Sequence, residues 1–247
     1  MKKAIAIVLL GLLPLVAFAE GEGPGWGEPA NNNVSNTASL QRGAKYFVNY
    51  CMGCHSLKFV RYNSLTEDLG LTQDQLEKYL MFSSDSIYKM MTNSMRADDA
   101  EHWFGKAPPD LSLVARSRGP NWIYNYLRSF YLDPKQPTGV NNLYLKNAAM
   151  PDVLAPLQGY QKAVFRTEKD ESGETSKVFD HFELVKKGRM TPEEYDQTVR
   201  DIVNFLDYVG EPVQLKRKQV GYGVIAFLLV FFLFAYFLKR EYWKDVH

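Results

Sequence analysis

The hydrophobic pattern of the chain begins with an apolar run that follows two lysines at the N-terminus. This run extends from Ala4 to Phe18, and the triplet Ala17-Phe18-Ala19 at its end places small residues on either side of a larger one. A basic start, a short apolar run and a small-x-small cleavage site are typical of a secretory signal peptide. We therefore expect residues 1–19 to be removed and residues 20–215 to form an exported domain.

A second apolar run lies near the C-terminus, from Val220 to Leu238, and contains no charged residue over 19 positions. At 1.5 Å per residue, a helix of this length is close to the ~30 Å hydrocarbon core of a bilayer. The run predicts a transmembrane helix over residues 219–238 and a cytoplasmic tail over residues 239–247. Basic residues flank both ends, so the signal peptide sets the orientation. We expect a single-pass protein of the cell inner membrane with its domain on the periplasmic side.

Between these runs, apolar residues recur at helical spacing in several stretches. Two helices have strong start signals, because Thr72 with Gln75 and Thr191 with Glu194 match the capping box. The first of these helices is expected to extend to about Phe82, and the second to end at Gly210. Four more helices are predicted at Ser39 to Tyr50, Ser84 to Met95, the LSLVARS stretch from Leu111, and Trp122 to Tyr131 behind an Asn121 cap.

Extended structure is expected in one place, where Ala163 to Glu168 and Lys177 to Val185 can pair as a hairpin across residues 171–174. The stretch from Pro134 to Gly159 is rich in proline, glycine and asparagine. Loops of that length inside a compact domain are usually functional. The predicted fold class is therefore mostly α, one helical domain followed by one C-terminal transmembrane helix.

The distribution of charge along the chain indicates which class of partner the exported domain could bind. The chain carries a formal net charge of +1, but the signal peptide and the residues from Lys216 onward hold much of the basic excess. The exported domain has 21 basic and 26 acidic residues, a net charge of about −5. This balance argues against nucleic acid as a ligand and is suited to a basic soluble partner.

The only two cysteines of the chain lie in one short motif, Cys51-Met52-Gly53-Cys54-His55. This is the attachment pattern of a c-type haem. Two thiols one helical turn apart can bond the two vinyl groups of one porphyrin, and the adjacent histidine then lies beneath the iron. Because both cysteines of an exported chain stand in this motif, we interpret it as the attachment site of one covalently bound haem c.

Two other uses of close cysteines fit less well. A thioredoxin-like dithiol is expected after a strand, and here a predicted helix precedes the cysteines. A structural zinc site needs four protein ligands, and the remaining histidines, His102, His181 and His247, are scattered. A membrane-tethered thiol oxidoreductase nevertheless remains an alternative until haem is detected.

A second axial ligand is expected from one of the methionines. Met150 stands in the irregular stretch with Pro151 locking the backbone behind it, whereas most other methionines lie in predicted helices or, like Met190, before a helix start. A His/Met pair raises the haem potential and leaves no site for oxygen, which favours electron relay over catalysis. His102 is the alternative ligand, and a peroxidase would require an open sixth position.

The groups around the haem can also be assigned as candidates. The His55 imidazole should donate its second N–H to a carbonyl, and the Pro108-Pro109 turn can supply that carbonyl through Pro109. Haem propionates need cationic or hydroxyl donors. Arg118 is the preferred candidate, Arg116 is the alternative, and Tyr124 follows in sequence.

Five stretches spread in order over most of the mature chain carry a resemblance. They are RGAKYFVNYCMGCHSLKFVRYNSL, APPDLSLVARSRG, AAMPDVLAPL, NFLDYVGEP and the C-terminal anchor followed by LKREYWK. Together they are similar to the cytochrome c1 family, the haem subunits of bacterial cytochrome bc1 complexes (ubiquinol–cytochrome c reductase). Residues 161–187 do not match the family pattern.

The resemblance implies a class I cytochrome c-like fold with a tail anchor. It implies that Cys51 and Cys54 carry the haem, that His55 and Met150 ligate the iron, and that Arg118 and Tyr124 contact a propionate. The first and last domain helices should then cross closely, with Gly43 and Phe47 against Phe205 and Tyr208.

The resemblance also implies the partners. Cytochrome b would bind in the membrane, a Rieske iron–sulfur protein would donate the electron, and a c-type cytochrome would accept it. The subunit would not be an enzyme on its own but a redox subunit of a quinol–cytochrome c reductase. Acidic residues for acceptor docking match the family loosely, with Glu67, Asp68, Asp98, Asp99 and Glu101 as candidates. A free-standing anchored cytochrome c that serves an oxidase is the alternative.

Overall fold

The computed structural model describes residues 27–169 and 175–244. The predicted signal peptide, the hairpin turn 171–174 and the last three residues of the predicted tail lie outside the described residues. About half of the described residues are helical. The fold is thus less helical than predicted, because short strands occur where only loops or helices were expected.

The described residues form nine α-helices. In chain order they are α1 (Thr37–Tyr46), α2 (Ser64–Leu69), α3 (Gln73–Tyr79), α4 (Ala97–Phe104), α5 (Val114–Arg118), α6 (Pro120–Arg128), α7 (Ala155–Gln158), α8 (Pro192–Gly210) and α9 (Gln214–Tyr242).

Strands pair in three two-stranded antiparallel sheets within the described part of the chain. The first sheet joins β1 (Leu57–Arg61) to β2 (Met90–Met91), and the second joins β3 (Phe130–Leu132) to β4 (Val140–Asn142). The third is a long hairpin of β5 (Gly159–Lys169) and β6 (Thr175–Lys187). The predicted hairpin is confirmed, and each of its strands is longer than expected.

The centre of the core is the crossing of α1 and α8. Gly43 lies against α8 so closely that a Cβ atom built on it would lie 2.7 Å from Cβ of Phe205, and closer still to the backbone carbonyl of Asp201. The rings of Phe47 and Phe205 pack beside this point with centroids 5.7 Å apart. The predicted crossing is therefore confirmed, because only a residue without a side chain lets the two backbones approach this far.

Sequence-coded caps fix where the main helices begin. Capping boxes form at Thr72 with Gln75 and at Thr191 with Glu194, as predicted. The first helix has a cap that was not predicted, in which the Asn36 side chain accepts a hydrogen bond from the Ser39 amide. These caps satisfy amides that have no partner within the helix.

Two helix predictions are corrected. The segment Ser84 to Met95 is not helical, because it forms turns and the short strand β2, with Met91 fully buried. The aromatic helix begins at Pro120 in the first helical position and ends at Arg128, before Tyr131, which joins β3. Asn121 does not cap this helix, and its side chain instead accepts a hydrogen bond from the Ala30 amide at 2.8 Å.

The C-terminal helix α9 is long and apolar enough to cross a membrane. It has 29 residues, so it is about 43 Å long at 1.5 Å per residue. Only Glu211 to Val213 separate it from α8. Arg116 of α5 and Arg217 of α9 both form ion pairs with Glu211, which joins the anchor to the domain.

Candidate functional site

The two cysteines lie where α1 continues into a π-helical turn, Phe47–Cys51. The Met52 amide donates to the Phe47 carbonyl at 2.9 Å, and the Cys51 carbonyl accepts from the amides of Cys54 and His55 at 3.1 and 2.8 Å. Single π-turns of this kind are frequent at functional sites. The turn presents both free thiols and the imidazole from one compact loop.

The His55 imidazole is oriented by a carbonyl that lies 54 residues further along the chain. Nδ1 of His55 donates to the Pro109 carbonyl oxygen at 2.7 Å, as predicted. This hydrogen bond fixes the tautomer and leaves Nε2 as the nitrogen available to a metal.

The segment that carries Pro109 is held in place by four further hydrogen bonds. The Ser56 carbonyl accepts from the Leu111 amide at 2.9 Å, and the Lys58 amide donates to the Asp110 carboxylate at 2.8 Å. Asp110 also accepts from the Ser112 amide, and the Ser112 hydroxyl accepts from the Phe59 amide. The residues that follow Pro109 are therefore held against residues 56–59, which come directly after His55 in the chain.

Protonation at this site argues against thiol catalysis. Burial raises the pKa of the Cys51 thiol to about 12, whereas reactive cysteines need a lowered pKa to form the thiolate. Burial also lowers the pKa of His55, despite its bond to the Pro109 carbonyl, so the neutral imidazole that ligates metal is favoured. Among the described residues, no group of three or more His, Cys, Asp or Glu side chains could hold a metal ion.

Met150 lies partly buried on the loop before α7. Its Sδ atom accepts a hydrogen bond from the Tyr126 hydroxyl at 3.4 Å. Three other methionines lie in different surroundings. Met91 is fully buried in the core, and the sulfur atoms of Met52 and Met190 accept hydrogen bonds from Tyr62 and Thr198, each at 3.5 Å.

An aromatic stack extends from Met150 to the surface. The Tyr126 ring is stacked on Trp122 with centroids 5.0 Å apart and planes 9° apart, and the Arg118 guanidinium lies 5.0 Å from the Trp122 ring centroid. Arg118 is exposed, and among the described residues no carboxylate pairs with it. Trp122 and Tyr126 were missed as site residues. The i, i+4 spacing of two aromatic residues just after Arg118 is the signal that could have identified them.

Tyr124 and Arg116 lie apart from this stack. Tyr124 is fully buried on another side of α6, and its hydroxyl accepts a hydrogen bond from Arg200 at 3.3 Å. Arg128 and Arg200 both approach its ring. Arg116, the alternative propionate donor, pairs with Glu211 at 3.0 Å. Of the predicted donors, Arg118 alone lies on the side of α6 that faces Met150.

These residues fit a c-type haem. Two free thiols stand on one turn, an imidazole has its second nitrogen satisfied by a carbonyl, and a partly exposed thioether is presented from a loop. The donor set is nitrogen and sulfur, which suits haem iron.

The comparisons with known proteins agree with this chemistry. A model described as the cytochrome C1 family matches residues 30–246. The cytochrome c1 of Allochromatium vinosum is 49% identical, and the match covers 100% of both chains. The chain belongs to the cytochrome c1 family.

Two other relatives show lower sequence identity to this chain, and one of them carries a different name. A protein of Nitrosomonas europaea named ammonia monooxygenase gamma subunit is 40% identical, and the match covers 99% of this chain and 100% of that one. The cytochrome c1 of Rhodospirillum rubrum is 28% identical over 84% of this chain and 81% of its own.

Membership of the cytochrome c1 family establishes the cofactor and the general role. Cytochrome c1 proteins carry covalently attached haem c, and they are membrane-anchored electron-transfer subunits of the bc1 respiratory complex. The CxxCH arrangement of this chain and its single described apolar helix of membrane-spanning length agree with that role.

Proposed function

We propose that this chain would hold its haem through Cys51 and Cys54, with His55 and Met150 as the two side chains that would ligate its iron. When bound, the haem supplies one-electron chemistry at a potential raised by the thioether ligand. The single observation that carries the proposal is the hydrogen bond of 2.7 Å from Nδ1 of His55 to the Pro109 carbonyl within the CxxCH turn. That bond orients an imidazole for ligation by its other nitrogen.

The electron would come from a Rieske iron–sulfur protein and pass to a c-type cytochrome. Arg118 is proposed to hold a propionate, because it is exposed and stacked on Trp122 with no carboxylate paired to it among the described residues. Tyr124 is also proposed as a propionate contact, on the basis of the family resemblance alone. In the structure its hydroxyl accepts a hydrogen bond from Arg200. Glu67, Asp98, Asp99 and Glu101 are the proposed docking carboxylates. Asp68 is less suited, since it accepts from Tyr208 at 2.6 Å.

The remaining parts of the proposal concern arrangement and place. Residues 20–215 would form a class I cytochrome c-like domain in the periplasm, after removal of residues 1–19. Residues 219–238 would span the inner membrane beside cytochrome b, with residues 239–247 in the cytoplasm. The apolar helix α9 supports the anchor.

Two measurements test the proposal. A pyridine haemochrome spectrum of Cys51→Ala, Cys54→Ala and the double variant should show loss of two-point attachment, and the double variant should be free of covalent haem. Met150→Leu should abolish the far-red sulfur-to-iron charge-transfer band of the oxidised protein and lower the potential. Leucine has a similar volume, so the change in packing should cost less than about 1.5 kcal/mol, and loss of the acceptor of the Tyr126 hydroxyl adds to that cost.

Met190→Leu is the matched control, because Met190 lies next to the α8 cap and its sulfur accepts a hydrogen bond from the Thr198 hydroxyl. It should leave the band and the potential unchanged. A charge-transfer band that persists in Met150→Leu would show that another residue ligates the iron. Recovery of cytochrome b with the tagged chain from solubilised membranes tests the bc1 assignment against a free-standing cytochrome.

A further inference from the structure

We propose that Tyr126 is a positioning residue that raises the reduction potential of this protein by donating a hydrogen bond to the sulfur of Met150. The inference rests on the proposed function, in which Met150 is an axial ligand. The observation behind it is the contact of 3.4 Å between the Tyr126 hydroxyl and Sδ of Met150.

The Tyr126 hydroxyl has a specific need for this acceptor. Tyr126 is only 8% exposed, and a buried hydroxyl without a partner is costly. Within the described part of the chain, the one acceptor that the hydroxyl reaches is the Met150 sulfur. Sulfur is a weak hydrogen-bond acceptor, so a hydroxyl would bond to an oxygen atom instead if one lay within reach.

The Tyr126 ring is held so that the hydroxyl cannot turn away. Trp122 stacks on one face, and Phe130 meets the ring edge-on with centroids 5.2 Å apart. The Tyr126 carbonyl accepts from Nδ2 of Asn142 at 2.8 Å and from the Ser129 hydroxyl at 3.3 Å. Both the ring and the backbone of Tyr126 are therefore fixed by neighbours on α6, β3 and β4.

The effect on potential follows from the electronic structure of a thioether. The sulfur of Met150 has two lone pairs, so it can bind iron with one and accept a hydrogen bond with the other. An O–H donor withdraws electron density from the sulfur and weakens its donation to iron. Weaker donation of electron density from the sulfur destabilises oxidised iron more than reduced iron. The hydrogen bond therefore favours the reduced state.

The test uses the full chain in its membrane complex with Tyr126→Phe, which removes the hydroxyl and keeps the ring. Potentiometric titration should show a lower potential, and the reduced-to-oxidised ratio at a fixed ambient potential should fall roughly threefold. This change is near the lower end of the net free energy that a single hydrogen bond contributes. The far-red charge-transfer band should persist, since the ligand remains. Tyr195→Phe is the control, because its buried hydroxyl donates to the Leu127 carbonyl at 2.9 Å. It should leave the potential unchanged.

The outcomes separate this inference from the proposed function. Loss of the band in Met150→Leu together with an unchanged potential in Tyr126→Phe would overturn the role of Tyr126 and leave the ligand assignment intact. If Tyr126→Phe fails to retain haem, replacing the Tyr126 ring with a monofluorinated tyrosine provides a second test. That ring has nearly the same shape but a stronger O–H donor, so the potential should rise. A potential that stays equal or falls would refute the inference.

Discussion

Gly43→Ala tests the crossing of α1 and α8 directly. The added methyl group would lie against the Asp201 carbonyl and 2.7 Å from Cβ of Phe205, where ordinary contact begins at 3.4 Å. A helical backbone carbonyl cannot rotate away, so the helices must separate. Overpacking of this kind costs about 1–3 kcal/mol, and the rigid neighbour favours the upper end. Alanine in place of glycine also stabilises the helix by about 1 kcal/mol through its higher helix propensity. We therefore expect a net destabilisation of about 2 kcal/mol.

The assay is thermal unfolding of the purified full chain, followed by the haem absorption. For a domain of this size, 2 kcal/mol corresponds to a fall in Tm of about 4–8 °C. Gly223→Ala is the matched control, because Gly223 is also helical, in α9, and a Cβ on it meets no atom within 4 Å. Its Tm should not fall below that of the unchanged chain. If Gly43→Ala melts at or above the temperature of Gly223→Ala, the close approach of the two helices is wrong.

Two other predictions follow from described contacts. Arg42→Ala removes two hydrogen bonds of 2.6 and 2.9 Å to the buried Asp201 carboxylate and should cost about 1–3 kcal/mol in urea unfolding. Arg96→Ala is its control, since its exposed contacts exceed 3.7 Å and should be worth no more than about 0.5 kcal/mol. A chain that ends at Leu215 should be exported and spectrally normal but should not associate with membranes, as phase partitioning would show. Failure of that exported chain to bind haem would show that the domain boundary is misplaced.

Features with local chemical signatures could be predicted from the sequence. The capping boxes at Thr72 and Thr191, the apolar period of α8 and the uncharged C-terminal run all depend on residues close in the chain. The orientation of His55 by the Pro109 carbonyl was also anticipated, because a turn rich in proline leaves carbonyls without helical partners. Except for the bond from His55 to Pro109, which joins residues 54 positions apart, each of these features is specified within one turn, one helix or one short motif.

Several features that depend on contacts between distant segments could not be predicted. The segment Ser84 to Met95 has apolar residues at helical spacing, yet Met91 pairs with Leu57 of β1, and this tertiary pairing overrides the local period. The i, i+4 spacing of Trp122 and Tyr126 indicates that the two rings stack, but no motif in their helix specifies that the loop with Met150 lies beside them. Tyr124 illustrates the same limit, because spacing alone does not show which side of α6 faces the core.

The short connection between α8 and α9 limits how the domain can move. Three residues in extended form reach only about 10 Å, and Glu211 within them is paired to both α5 and α9. The helix that leads into the membrane is thus nearly continuous with the helix that packs against α1, whose end carries the cysteines. We therefore expect the domain to keep a nearly constant position relative to its membrane helix. If electron transfer requires a long movement, we expect a partner to make that movement.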